Sequence, residues 1–357
     1  MLRIAVIGDR FITAELVQER IGGVLEPTVG HCEIRAMQLE WPDDTPVDDD
    51  ELQEYVGDPQ AIAEFVADAQ VIVTQVAPIS RQLIERASHL QIIAVARGGP
   101  VSVNIAAAGA HGIPVVFAPG SNAQAVAEFT LGLILAESKH IARSHRALVD
   151  GIWRVDAYYY DRAPRELRGQ TIGIIGFGHI GQLLVPSLHA LGMRVLVYDP
   201  YVSAGRCAEL GVQCVELPVL LAESDFVTLH ARVTPETRGM MGAAQFAQMK
   251  QGAYFINSAR GPLVDYDALY AALASGHLAG AALDNFHEEP PPADWPLFKL
   301  DNVTVTPHIA GSSRETARRK VEMVLQDVAN FYARHPLLHC ANPAVLTRSS
   351  LQQDHTT

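Results

Sequence analysis

Three short pieces in the last quarter of the chain carry side chains able to handle a proton, a carboxylate and a developing charge. They are NSARGPLVD with Arg260, LDNFHEEP with Asp284 and Glu289, and VTVTPHIAGSS with His308. In the last piece an alternating apolar strand stops at a proline and puts His308 just beyond its end. Chemistry at a carbon bearing a hydroxyl needs a base for the hydroxyl proton, and imidazole titrates in the right range. A carboxylate against the imidazole favours its protonated form and fixes its orientation. A guanidinium grips a substrate carboxylate in a bidentate fork and polarises the neighbouring carbonyl. Arg260, Glu289 and His308 are a complete set of these parts. Singly, each has a structural reading: Arg260 paired with Asp265, Glu289 solvated in EEPPP, His308 satisfied at a sheet edge. His287 is a rival acid/base by composition, but its proline-bounded loop offers it no carboxylate partner.

The set lies downstream of TIGIIGFGHIGQLLVPSLHALGMRVLVYDP, which reads as strand, glycine turn, helix and strand. Gly176, Gly178 and Gly181 form G-x-G-x-x-G in the context that gives the pattern meaning. The first two glycines permit a tight turn and close approach to a pyrophosphate, and the third lets helix and strand pack. Asp199 ends the second strand, where a carboxylate accepts from ribose hydroxyls and repels a 2'-phosphate. DPYVSAGR places no arginine directly after it, so NAD is favoured over NADP.

The elements that must hold these groups are legible in the pattern. Short β-branched runs alternate with helical stretches: LRIAVIGD, EIRAMQL, DAQVIVTQV, LQIIAVARG and IPVVFAPG, then TIGIIGFG, RVLVYDP, DFVTLHA, GAYFINSARG, GAALDNF and NVTVTPH. Such alternation implies parallel sheets covered by helices, and so many strands in 357 residues imply two α/β domains. A long helical pattern from NAQAVAEF through GIW opens after PGSN, with Ser121 or Asn122 as its cap. It is too apolar for a single exposed face and should pack between domains or subunits. The stretch SRETARRKVEMVLQDVANFYARH is the final helix, and the tail from about Pro343 should fray. The aromatic run WRVDAYYYD either packs where the long helix ends or reaches into a substrate pocket.

Composition narrows the partners. The formal net charge of -13, with no basic run interleaved with aromatics, argues against nucleic acid or anionic membrane. The acidic stretch WPDDTPVDDDELQEY reads as a solvated loop or helix start. The four cysteines are scattered without a C-x-x-C pair, so neither a disulfide framework nor a metal site is expected. MLRIAVIGDR enters a strand at once and no apolar stretch is long enough to cross a bilayer, which points to a reducing, cytoplasmic setting.

From LRIAVIGD through HCANPAVL the chain resembles the D-isomer-specific 2-hydroxyacid dehydrogenases. The motifs that carry the resemblance are GFGHIG with Asp199, LHARVTPETRGMM, NSARGPLVDYDAL, GAALDNFHEEP and NVTVTPHIAG. The resemblance implies an NAD-binding Rossmann domain at 120–307 inserted into a flavodoxin-like substrate domain formed by 1–119 and 308–357. It assigns substrate binding to Arg260, support of the histidine to Glu289 and acid/base work to His308. It places Gly176, Gly178, His179, Ile180, Gly181, Asp199, Ala259, Asp284 and Gly311 at the cofactor, with Asp284 on the nicotinamide carboxamide. His230 belongs to a stretch along the cofactor, though packing explains it equally well. Arg97, Gly98, Gly99 and Asn122 are the implied substrate contacts, and a homodimer the implied assembly.

The chain departs from the family pattern at ARGGPVSVN, a shorter loop in which Pro100 and Val101 stand where another glycine is usual. Proline offers no amide hydrogen to a substrate carboxylate. LHARV puts Arg232 near the cofactor stretch, and Asn285 replaces the usual valine after Asp284. Glyoxylate, hydroxypyruvate, 3-phosphoglycerate and longer sugar acids all remain open as the acid. The alternative of another class is an NAD(H)-sensing regulator, since the C-terminal-binding corepressors share this fold and the triad. A formate or phosphite oxidiser is disfavoured, because glutamine is expected where Glu289 stands in formate enzymes.

Overall fold

The computed structural model describes residues 1–43 and 46–347. The chain divides into two α/β units, Met1–Asn122 with the segment from Ser313 onward, and Ala123–Ser312. The first crossing comes after residue 122 where 119 was expected, because the helix Ala123–Ser138 opens the second unit. The second comes after 312 where 307 was expected. His308 therefore lies in the second unit, since the Ile309 and Ala310 amides are hydrogen-bonded to Asp284.

In the first unit β1 (Leu2–Gly8), β2 (Cys32–Gln38), β3 (Val71–Thr74), β4 (Ile92–Val95) and β5 (Val115–Phe117) pair in parallel in the order β2-β1-β3-β4-β5. This is the flavodoxin-like order. Side chains alternate across β1: Ile4 and Val6 meet Val321, Val324 and Val328 of the final helix, while Ala5 and Ile7 meet Ile62, Leu83 and Ile84 on the other face. The final helix, Arg314–Tyr332, is capped by Ser313, whose hydroxyl accepts from the Thr316 amide at 3.0 Å. In the acidic stretch, Asp49 accepts the Glu51 and Leu52 amides, while residues 44 and 45 lie outside the described residues. Of the tail expected to fray, residues 344–347 are helical and 348–357 lie outside the described residues.

The second unit pairs β6 (Thr171–Ile175), β7 (Arg194–Tyr198), β8 (Gln213–Cys214), β9 (Phe226–Leu229), β10 (Ala253–Asn257), β11 (Leu278–Leu283) and β12 (Val303–Val305) in parallel, in the order β12-β11-β10-β9-β6-β7-β8. Counted from β6 this is the Rossmann order 3-2-1-4-5-6 with one strand added beyond β11. β8, only two residues long at the edge, has no counterpart among the expected strands.

Three expectations differ from the structure. The long helical pattern is two helices, Ala123–Ser138 and Ile141–Val149, with His140 between them at φ 56°. The turn brings Arg143 back onto the buried Glu137 at 2.8 Å, and Glu137 also accepts the Thr304 hydroxyl. Ser121 does not cap the first helix; its hydroxyl donates to the Ala118 carbonyl at 2.8 Å. Cys207 and Cys214 form a disulfide, with Cα atoms 5.9 Å apart, where none was expected. The turn through Gly211, at φ 69°, folds β8 back along the helix Ala204–Glu209 and brings the two residues together. No described helix is long and apolar enough to cross a membrane.

Candidate active site

Open parallel sheets present their strand carboxyl ends to ligands, and the second unit gathers its charged residues there. β10 ends at Asn257, a buried side chain whose Oδ1 accepts the Ala259 amide at 3.1 Å and whose Nδ2 donates to the Arg260 carbonyl at 3.2 Å. This bracket holds the turn that presents Arg260 to solvent, its Nη1 donating to the Ala259 carbonyl at 2.7 Å. Asp265 accepts the Ala268 amide and caps the helix Tyr266–Ala274. Gly261 follows Arg260 because nothing larger fits: a Cβ there would lie 1.8 Å from the Phe286 carbonyl oxygen.

Asp284, just past β11, is fully buried. Its Oδ1 accepts the Thr306 hydroxyl at 2.6 Å and the Ile309 amide at 2.9 Å, and its Oδ2 accepts the Ala310 amide at 2.9 Å. Three of the roughly four acceptor positions of the carboxylate thus hold the loop that carries His308. The sequence reading put Asp284 at the cofactor and gave Thr306 no part; a hydroxyl two residues before the histidine was the only available signal. His308 itself has φ 53°, the left-handed region, and its amide donates to the Thr306 carbonyl at 3.0 Å. That turn aims the ring at Glu289, with Nδ1 and Oε2 2.6 Å apart. The other carboxylate oxygen of Glu289 accepts the Phe286 amide at 2.9 Å. Burial works to raise the Glu289 carboxyl, but the His308 bond, the Phe286 amide and the charges of His308 and Arg260 outweigh it and hold it below the ordinary value of 4.5. With Nδ1 engaged, His308 has Nε2 free to face a reacting oxygen. His287 is exposed on the same loop.

The glycine turn after β6 is built for close approach. Gly176 has φ 88°, and a Cβ on it would lie 2.6 Å from the Ala231 nitrogen, so only glycine fits. A Cβ on Gly178 would meet nothing within 4 Å, leaving open space at the start of the helix His179–Ala190. His179 is exposed there, Ile180 is half-buried, and Gly181 packs against the Gly176 carbonyl, 3.0 Å from its would-be Cβ. Asp199 accepts the Phe177 amide at 2.7 Å and the Tyr201 amide at 2.8 Å, which ties the end of β7 to the glycine turn. Open space before a helix N-terminus, with a carboxylate alongside, fits the pyrophosphate and ribose of a dinucleotide. His230 shares its Nε2 with the Thr228 hydroxyl at 3.1 Å, while its buried Nδ1 has no partner among the described residues. Burial pushes its pKa down to about 3, making it a neutral imidazole. Ala259 is buried, and Gly311 lies half-buried in the turn after His308.

In the first unit, Arg97, Gly98 and Gly99 follow β4. The Arg97 guanidinium pairs with the Glu54 carboxylate and also donates to the Glu54 carbonyl at 3.3 Å. A Cβ on Gly98 or Gly99 would meet nothing within 4 Å. Asn122 is half-buried at the last position of that segment, apart in sequence from the Arg97 loop.

A family model described as D-isomer specific 2-hydroxyacid dehydrogenase, NAD binding domain, matches residues 131–310. The chain is 40% identical over 272 residues to a D-3-phosphoglycerate dehydrogenase of Archaeoglobus fulgidus, which covers 76% of this chain but only 51% of the relative. The chain thus spans about half the length of that curated relative. It is 35% identical over 321 residues to a glyoxylate reductase of Korarchaeum cryptofilum, covering 90% of this chain and 92% of the relative. Among solved structures, the apo D-lactate dehydrogenase of Escherichia coli aligns with a TM-score of 0.74 at 26% identity, over 95% of this chain and all of the other (100%). A glycine turn at the centre of a Rossmann sheet, with an arginine, a glutamate and a histidine on its carboxyl edge, agrees with these matches, and the chain belongs to the D-isomer-specific 2-hydroxyacid dehydrogenase family.

Proposed function

We propose that this protein is an NAD-dependent dehydrogenase that interconverts a D-2-hydroxy acid and its 2-oxo acid. The observation that carries the reading is the His308–Glu289 pair, 2.6 Å apart, on the same sheet edge as Arg260. The nicotinamide coenzyme, when bound, supplies the hydride chemistry. Gly176, Gly178, Gly181 and the first residues of the helix His179–Ala190 hold its pyrophosphate, and Asp199 its ribose. Arg260 grips the substrate carboxylate and polarises the carbonyl at C2. In the reducing direction His308 gives the proton on Nε2 to the forming alkoxide, and in the oxidising direction Nε2 takes it back. Glu289 stabilises the protonated ring in each case. Arg97, Gly98, Gly99 and Asn122 are retained as substrate contacts in this reading.

The likeness to a glyoxylate reductase over most of both chains favours a small 2-oxo acid. A homodimer is part of the proposal, supported by the apolar side chains displayed after the helix Ala123–Ser138: Leu148, Val149, Trp153 and Tyr158 are 58%, 71%, 74% and 88% exposed. Sedimentation of the full chain should give twice the monomer mass.

The test is oxidation of NADH across 2-oxo acids of increasing size, from glyoxylate and hydroxypyruvate to phosphorylated and longer sugar acids, repeated with NADPH. Fast turnover of one compound with NADH and slow turnover with NADPH is the expected result. A flat panel with NADH binding intact would overturn the enzyme reading in favour of a nucleotide sensor.

A further inference from the structure

The segment 284–289 carries Glu289 yet has no regular secondary structure. Its ends are tied, by the bonds of Asp284 to the His308 loop and by the Phe286 amide donating to Glu289. Its middle is not held by its own side chain. Asn285 is 1% exposed, and neither its amide oxygen nor its amide nitrogen has a partner among the described residues. What reaches the middle is the Tyr266 phenol, which donates to the Asn285 carbonyl at 2.6 Å.

The phenol is suited to the task. Tyr266 is buried at the start of the helix Tyr266–Ala274, and burial raises its pKa, so the hydroxyl stays a donor across the working pH range. Its ring meets Trp295 edge-on at 5.1 Å, and Trp295 meets Phe286 at 5.6 Å, which clasps the segment from the side. The Gly261 backbone lies so close to the Phe286 carbonyl that a Cβ there would fall 1.8 Å from its oxygen. The aromatic contacts fix where the segment lies, while the hydroxyl bond fixes how its peptide planes turn.

We propose that Tyr266 is a positioning residue of the acid/base pair, its hydroxyl holding the 284–289 segment so that Glu289 meets His308. The proposal rests on the dehydrogenase reading for its kinetic consequence, but not for its structural one. Removing the hydroxyl frees the Asn285 peptide to rotate and leaves a buried carbonyl unsatisfied beside an amide already without partners. Glu289 then loses its fixed approach to Nδ1. The charges that act on the Glu289 carboxyl are those of His308 and Arg260, with His287 and Glu288 exposed beside it on the same loop.

The experiment compares Tyr266→Phe, which keeps the ring, with Tyr266→Leu, which removes it, in the full-length chain. For the best 2-oxo acid, Tyr266→Phe should lower kcat about tenfold with little change in the KM for NADH. The alkaline limb of its kcat/KM profile should move to lower pH, because a loosened carboxylate favours the protonated ring less. Wild-type kcat and pH profile in Tyr266→Phe, with losses only in Tyr266→Leu, would reduce Tyr266 to packing and overturn the proposal. NMR titration of the His308 ring, assigned with His308→Gln, reads the same coupling without turnover. There the midpoint in Tyr266→Phe should fall below that of wild type. An unmoved midpoint refutes the positioning role even if no 2-oxo acid is turned over, whereas a moved midpoint with no turnover in wild type refutes only the dehydrogenase reading.

Discussion

His308 occupies a backbone conformation that a non-glycine residue adopts at a cost of about 1–3 kcal/mol, and the Asp284 bonds to Ile309 and Ala310 offset it. The sequence motif names the histidine; the three bonds of Asp284 explain why its ring faces Glu289. Exchange of His308 for alanine should lower kcat about 10²- to 10⁴-fold while NADH binding, followed by fluorescence, stays near wild type. Retention of turnover within a few-fold would remove His308 from the mechanism. For Glu289 the sign of the pH dependence follows from its lowered carboxyl. Its contribution to the folded site is fully present above the ordinary value of 4.5 and is lost as pH falls through the lower folded value. Glu289→Gln should therefore lower kcat at neutral pH and leave thermal stability less sensitive to acid than in wild type. Calorimetry across an acid series is the check.

At the scale of elements, the two sites in this unit rest on glycines used in opposite ways. Gly176 bends the turn after β6 at φ 88°, and Gly261 lets the Arg260 turn touch the Phe286 backbone. Gly176→Ala should abolish measurable NADH binding and lower the melting temperature. Gly261→Ala, whose Cβ would fall 1.8 Å from a carbonyl oxygen, should cost about 1–3 kcal/mol or more and spread the Arg260 and Glu289 segments apart. Loss of turnover beyond the loss of folded protein, judged by circular dichroism, would separate the second effect from the first. The first glycine was legible as part of a spaced motif. The second was not, because its demand comes from a residue 25 positions away in the chain (261 against 286).

At the scale of the molecule, the first unit is closed by a segment that returns after the whole second unit, and the final helix supplies one face of its core. Asp9, at the end of β1, is buried there with Gln75 donating to it at 3.2 Å. Burial raises its carboxyl from 3.8 to about 6, against the Ile12 and Phe11 amides and the charges of Lys320 and Arg97. A raised carboxyl adds stability in full below the ordinary value and loses it as pH rises through the folded one. Asp9→Asn, which cannot ionise, should flatten the pH dependence of unfolding free energy between about pH 4 and 7 by ~2–3 kcal/mol. The Gln75 amide oxygen, without a partner among the described residues, can turn to accept the new amide. An unchanged slope in chemical denaturation would show that Asp9 is not the group responsible.

By itself the sequence determined the α/β class, eleven of the strand runs and the glycine motif, because period, turn chemistry and residue spacing are local, and it named Arg260, Glu289 and His308 as the candidates for the chemistry. Tertiary structure decided the rest through contacts between distant residues. The helix read as continuous breaks at His140 because Arg143 turns back to a buried Glu137. Cys207 and Cys214 meet because an edge strand of two residues folds alongside its helix. Asp284 became the anchor of the His308 loop, and Tyr266 the tether of the Glu289 segment, because the carboxyl ends of β10, β11 and β12 lie side by side. Hydrogen bonds between separate loops depend on which strands are neighbours, and strand order is a property of the packed sheet that no local pattern records.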